Sequence, residues 1–253
     1  MFTNERRQKI LEMLEKKHSV TVEELVTCFD VSAATIRSDL NKLAETDLLI
    51  RTHGGATKND EKAITEAERA YDIRKSVNLA EKQVIAKKAI RYIHANDCIL
   101  LDASSTCYEL AQLLLEYTEP LTVLTSGLRT ASLLKENGQM TVIVLGGIVT
   151  PNSNAIEGSL GIDLLKKFNI DTFFTSSYAI SAKDGLSDFK MYEAELKKLM
   201  IKESEQTIAL IDSTKFEKKS IINFATLQEI QLIISDGKLP NETTSIYENI
   251  SIV

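Results

Sequence analysis

The chain has 253 residues, of which 43% are hydrophobic and 26% charged, and it carries a net charge of −6. That balance fits a globular protein with room for one small and one medium domain, each able to bury a core, and excludes disordered and fibrous classes. No apolar run approaches the roughly 20 residues that span a bilayer, and the start, MFTNERRQKI, lacks the apolar segment of a secretion signal, so a cytoplasmic protein without membrane contact is expected.

Cys28, Cys98 and Cys107 are odd in number, and His18, His53 and His94 are scattered. Neither set has metal-ligand spacing, so reduced thiols, no metal site and no cofactor are expected. The segment from Met1 to Thr57 holds 8 Lys and Arg against 9 Asp and Glu. Bulk charge is therefore silent on nucleic acid, and any such partner has to be argued from placed residues.

In chain order, Ile10, Leu11, Met13 and Leu14 recur at helical spacing and predict a first helix over Asn4 to Lys17. Thr21 and Glu24 have the spacing of a capping box, opening a short helix with Leu25, Val26 and Phe29 inward. Asp30 and Val31 turn the chain. Ser32 caps a third helix whose inward stripe is Ile36, Leu40 and Leu43. The strand-like LLIRT and a Gly-Gly turn follow, and this order describes a winged helix-turn-helix over residues 1–57.

A polar linker is expected over 58–77, and an α/β domain over 78–253. The latter opens with an amphipathic helix from Asn78 to His94. Short apolar runs then alternate with helices: Cys98–Asp102, Leu121–Thr125, Val142–Leu145, Thr172–Thr175, Ile208–Asp212 and Leu232–Asp236. Such runs indicate a Rossmann-like, mostly parallel sheet covered on both faces.

On the third helix, placing the apolar stripe inward turns Ala34, Ser38 and Asn41 outward, flanked by Thr35 and Arg37. A small, polar, basic face of this kind can enter a major groove, with Arg pairing to guanine, Asn to adenine, and Ser32 and Thr35 bonding phosphate. Arg51 and His53 on the wing, with Arg6 and Arg7 on the first helix, would add backbone contacts. The partner is then double-stranded operator DNA, read by a homodimer or homotetramer with two half-sites.

In the rear domain several predicted strands end in small polar or glycine residues. These are Asp102-Ala-Ser104-Ser105-Thr106, Thr125-Ser126, Gly146-Gly147 and Asp212-Ser-Thr-Lys215. Ligands bind at the carboxyl ends of strands in an open parallel sheet, so these segments are expected to converge on one crevice. Ser104, Ser105 and Thr106 precede a helix, where an anion is favoured, and Lys215 adds a point charge. Gly146 and Gly147 would let backbone approach a ligand, and Asp102 could accept from sugar hydroxyls. A phosphorylated sugar fits this chemistry.

Ser32 to Leu43 followed by Leu48 to Ala56 closely resembles the signature of the DeoR family of bacterial transcriptional regulators, with its TIRRDL-type recognition helix and R-x-HGGA wing. Ser38 stands where a second Arg is usual, and Asp47 where Gly usually follows the helix. The rear segments resemble that family's D-x-G-[ST]-T, T-N, G-G and D-S-[ST]-K-F segments, with Ser104 for Gly and Ser126 for Asn. Glu193-Ala-Glu-Leu-Lys197 is similar to its E-A-E-V-K helix. The resemblance implies a sensor domain similar to ribose-5-phosphate isomerase and a repressor of a sugar-metabolism operon under phosphosugar control, with no catalytic residues. The competing reading is a phosphosugar isomerase with an accessory N-terminal domain, in which Asp102 and Asp212 transfer protons. A nucleotide-binding reading has no glycine-rich fingerprint behind it.

Overall fold

Ile10 and Leu14 are buried on the inner face of α1 (Thr3–Lys17), where they meet the apolar stripes of the next two helices. The computed structural model describes residues 3–17, 19–44, 49–52, 54–57, 71–150, 153–248 and 250–253. The chain divides into two units, Met1–Val77 and Asn78–Val253.

In the first unit, β1 (Ser19–Thr21) leads into α2 (Val22–Phe29). Thr21 accepts the Glu24 backbone N–H at 3.1 Å while Glu24 accepts the Thr21 N–H at 3.4 Å, so the expected capping box forms. Asp30, left-handed at φ 51°, ends α2 and turns the chain into α3 (Ala33–Ala44). Ser32 Oγ accepts the Thr35 N–H at 3.1 Å and caps α3. Ile36, Leu40 and Leu43 are buried, as their i, i+4, i+7 spacing dictates. β2 (Ile50–Arg51) and β3 (Gly55–Thr57) form the wing hairpin, and β3 also pairs with β1, giving a three-stranded antiparallel sheet.

Gly55 packs directly on β1: a Cβ there would lie 2.0 Å from the Val20 carbonyl oxygen. Nothing lies within 4 Å of the same position on Gly54. Close backbone approach, rather than a special φ, is what demands glycine at 55. The expected linker is not wholly irregular, because α4 (Tyr71–Ser76) is helical; residues 58–70 lie outside the described residues.

The second unit opens with α5 (Leu79–Ala89), extended by a 3-10 turn to Tyr92. β4 (Cys98–Leu101), α6 (Ser105–Leu114), β5 (Leu121–Thr125), α7 (Leu128–Leu134) and β6 (Met140–Val144) follow. After α8 (Ile162–Leu165), the chain returns to the sheet centre as β7 (Ile170–Thr175). β8 (Ala179–Ser181) and β9 (Gly185–Asp188) form a hairpin before α9 (Met191–Lys202). β10 (Ser204–Leu210), β11 (Ile222–Ala225), β12 (Leu232–Ile234), α10 (Asn241–Ile246) and β13 (Ser251–Ile252) complete it.

Seven strands form a parallel sheet in the order β13-β12-β10-β7-β4-β5-β6, and β11-β9-β8 form a separate antiparallel sheet. Alternate residues of the parallel strands feed two cores. Ile99, Leu101, Phe174, Ile208 and Leu210 pack with Ile85, Leu110 and Leu114 on one face, and Leu100, Phe173 and Ala209 pack with Leu196 and Met200 on the other. The chain runs outward through β4, β5 and β6 and then jumps back to β7 beside β4. Strand order therefore reverses between β4 and β7, which is where a crevice opens in such sheets.

Candidate DNA-reading face and effector site

Ala34, Arg37, Ser38 and Asn41 are exposed along α3, with Thr35 half-buried and Ser32 exposed at its start. The outward face predicted from periodicity is thus the face presented. Asp39 is the inward polar residue of the same helix, 2% exposed. It accepts from Arg6 Nε at 2.6 Å and from Arg7 Nε at 2.8 Å, so two arginines of α1 clamp α3 through one carboxylate. This corrects the expectation for Arg6: it is 6% exposed and committed to Asp39, which removes it from any phosphate contact in this arrangement.

Two further details refine the reading face. Ser32 Oγ and Thr35 Oγ1 are 2.9 Å apart and bonded to each other, so the pair first serves the helix cap. Arg51 Nε donates to Asn41 Oδ1 at 3.1 Å, and its Nη1 donates to the Gly55 carbonyl. The wing is thereby tied to the reading helix, and Asn41 must exchange that bond before pairing bidentately with a base. His53 lies outside the described residues.

In the second unit, the carboxyl ends of β4, β7 and β10 carry one connected polar cluster. Ser104 is the N-cap of α6, accepting the Cys107 N–H at 3.1 Å. Asp102, 1% exposed, receives the Ser104 N–H at 2.9 Å on Oδ1, and the Thr175 hydroxyl at 2.8 Å and Ser176 N–H at 2.9 Å on Oδ2. Burial alone would raise its pKa, but Lys197 and these hydrogen bonds outweigh burial and bring it down to about 2. Both oxygens are therefore occupied. The expectation that Asp102 accepts from sugar hydroxyls is corrected: it braces the loop and a lysine.

That lysine was underrated by sequence reasoning. Lys197 is 7% exposed, its Nζ 2.7 Å from Asp188 Oδ2, 2.7 Å from the Ser176 carbonyl and 3.2 Å from Asp102 Oδ2. Burial disfavours its charge, yet the two carboxylates raise its pKa. Glu193 is 9% exposed, so the E-A-E-L-K segment is not a solvated helix face. Asp188, Ser176 and Ser177 were missed altogether. They lie on β9 and just after β7, in runs with no strand-end glycine pattern; the buried Lys197, read as needing a carboxylate partner, was the available signal.

At β10, Asp212 is fully buried. Its Oδ1 accepts from Thr214 N–H at 3.2 Å, and Oδ2 lies 3.6 Å from Lys215 Nζ. Burial would raise its pKa, but Lys215, Thr214 and Lys82 lower it. Lys215 Nζ donates to Ser176 Oγ at 3.1 Å and to the Ser177 carbonyl at 2.7 Å, and Thr106 Oγ1 is 3.4 Å from Ser176 Oγ. Asp102, Ser104, Thr106, Asp212 and Lys215 are thus brought together, with Ser105 buried at the start of α6 beside them.

The outer segments behave differently. Thr125 is fully buried and its hydroxyl accepts the Gly127 N–H at 2.9 Å, so it shapes the turn after β5 rather than facing a ligand. Ser126 is 4% exposed, its N–H donating to the Leu101 carbonyl at 3.4 Å and its carbonyl accepting from Ile156. Gly146 and Gly147 follow the edge strand β6 and are exposed; Gly161 packs on Gly146 so closely that a Cβ on Gly161 would sit 2.2 Å from the Gly146 oxygen. A Cβ on Gly147 would lie 2.6 Å from the Glu157 carbonyl oxygen, so glycine there admits a second backbone, whereas a Cβ on Gly146 would meet only the Gly161 Cα at 3.8 Å.

Among the described residues no cluster of His, Cys, Asp and Glu could hold a metal ion, and no helix is long and apolar enough to cross a membrane. A winged helix-turn-helix with an exposed basic reading face, joined in sequence to an α/β domain with a buried polar cluster at its topological switch point, defines a DNA-binding regulator with a sensor domain. Residues 6–62 match the DeoR-like helix-turn-helix domain, and residues 77–237 match the DeoR C terminal sensor domain. The chain belongs to the DeoR family of transcriptional regulators, a family of DNA-binding proteins rather than enzymes.

It is 42% identical to the HTH-type transcriptional regulator GolR of Listeria innocua over 241 residues, 94% of this chain and 92% of that one. It is 36% identical to the L-fucose operon activator of Haemophilus influenzae over 250 residues, 99% and 98% of the two chains. Among solved structures, ribose 5-phosphate isomerase A of Neisseria gonorrhoeae is similar over 53% of this chain and 52% of its own, at 15% identity and a TM-score of 0.38.

Proposed function

We propose that the protein represses a sugar-metabolism operon, and that a phosphorylated sugar held at the carboxyl ends of β4, β7 and β10 sets its operator affinity. The observation that carries this reading is the cluster at the strand-order reversal, where the start of α6 and Lys215 meet at Ser176. Lys197 is neutralised by Asp102 and Asp188, and the Ser104 N–H is taken by Asp102, so the positive character offered to a phosphoryl group comes from the dipole at the start of α6 and from Lys215. Hydroxyls of the sugar would then meet Asp212 Oδ2 and Ser177 Oγ, buried atoms with no hydrogen-bond partner among the described residues.

The mechanism is linkage. The effector favours one arrangement of the sensor domains, and in that arrangement paired reading helices fit two operator half-sites less well. Arg37, Ser38 and Asn41 read bases; Ser32, Thr35, Arg51 and His53 hold the backbone. A cytoplasmic homodimer or homotetramer is the acting form. One relative is named as an activator, so the sign is tested separately: deletion of the gene raises expression of the target operon under repression and lowers it under activation.

A thermal-shift screen against phosphorylated trioses, pentoses and hexoses identifies the effector, because a ligand selective for the native state raises apparent stability. No shift with any of them would overturn the effector reading.

A further inference from the structure

Asn78 opens the sensor unit in the left-handed conformation, φ 52°, at the N-cap of α5, yet its side chain makes no capping bond. Asparagine tolerates that backbone region better than most residues. Its Nδ2 instead donates to Asp212 Oδ1 at 3.2 Å and to Thr214 Oγ1 at 3.0 Å. The residue before it, Val77, is the last of the DNA-binding unit. The first residue of the sensor is therefore tied to the D-S-T-K loop more than 130 positions away.

Asp212 divides its two oxygens between two tasks. Oδ1 takes Asn78, the Thr214 N–H and the Thr214 hydroxyl, while Oδ2, buried and without a hydrogen-bond donor among the described residues, faces Lys215. Lys215 continues to Ser176 and Ser177 at the end of β7. We infer that the Asn78–Asp212 hydrogen bond couples effector binding to the chain segment that leads into the DNA-binding unit. A ligand hydroxyl that donates to Oδ2, or an anion that draws Lys215 away, changes the electrostatic surroundings and position of the carboxylate that Asn78 holds. The backbone at Asn78 then has two settings, bond kept or bond lost, and the ligand biases them. This inference rests on the effector reading above.

The test uses full-length protein with ribose 5-phosphate, fructose 6-phosphate and dihydroxyacetone phosphate, reading binding by thermal shift and coupling by amide hydrogen exchange across residues 71–77. The compound that raises the melting temperature is expected to change exchange in that segment. In Asn78→Gly, which keeps the left-handed backbone and removes the amide, the compound still raises the melting temperature, by an amount altered through the lost coupling, while the exchange change falls to within error of none. Asn78→Asp, which removes the donor and sets a carboxylate against Asp212, gives the same uncoupling should the glycine variant fold poorly. Retention of the wild-type exchange change in both variants overturns the coupling role. A thermal shift in the wild type with no exchange change at 71–77 also overturns it and leaves the effector reading standing, whereas no thermal shift with any compound overturns both.

Discussion

Lys197 Nζ lies 2.7 Å from Asp188 Oδ2, both side chains less than a tenth exposed, and this pair ties α9 to the end of the small antiparallel sheet. With Asp102 at 3.2 Å, the lysine also joins that sheet to the central strand β4. Removing one partner from a buried ion pair leaves uncompensated charge, at a cost of roughly 3–5 kcal/mol. Lys197→Met should therefore lose about that much in urea unfolding, because Asp102 and Asp188 lose the cation between them while keeping their neutral donors. A loss below about 1 kcal/mol would mean the group behaves like a solvated surface pair.

Asp102 gives the sensor an acid limb. Its carboxyl is held at about 2, below the ordinary 3.8, so the folded state binds its proton less readily than the unfolded chain does. The stabilisation is present above about pH 4 and is lost as pH falls through about 2, amounting to about 2 kcal/mol. Unfolding free energy measured from pH 5 down to pH 2 should fall more gently in Asp102→Asn, which starts from a lower stability. Parallel curves would show that Asp102 does not titrate with this linkage.

Arg6 and Arg37 are both arginines of the front unit with opposite expected phenotypes. Arg37 is exposed on the reading face, so Arg37→Ala should weaken operator binding by about 1–3 kcal/mol with the melting temperature unchanged. Arg6 is buried on Asp39, so Arg6→Ala should lower the melting temperature while the salt slope of DNA binding stays the same. A slope reduced by about 0.9 would instead make Arg6 a phosphate ligand.

The two wing glycines are separated by the same logic. Gly55→Ala drives a Cβ into the backbone of β1 and should cost about 1–3 kcal/mol. Gly54→Ala meets open space and should melt as the wild type does. Equal effects would show that the steric account of Gly55 is wrong.

The DNA-binding unit was largely legible because its signals are local: a capping box at Thr21 and Glu24, a cap at Ser32, and the spacing of Ile36, Leu40 and Leu43. Arg6 misled for the opposite reason, since its partner Asp39 lies on another helix 33 positions away and no local signal connects the two. In the sensor, the six apolar runs marked every central strand of the parallel sheet, while β8, β9, β11 and β13 are too short and mixed in composition to announce themselves. The polar cluster was legible where chemistry sits beside a strand end, at Ser104 and Lys215. It was invisible where residues distant in sequence meet, as Asp188 and Lys197 do with Asp102, and as Asn78 does with Asp212.

The most direct test is a titration of full-length protein onto an operator duplex selected from a random library, with and without the sugar phosphate that raises its melting temperature. The account predicts that the ligand weakens operator affinity by at least about fivefold, the low end of ordinary coupling, and that Lys215→Ala abolishes the effect while sparing affinity without ligand. An affinity indifferent to a ligand that demonstrably binds would contradict it.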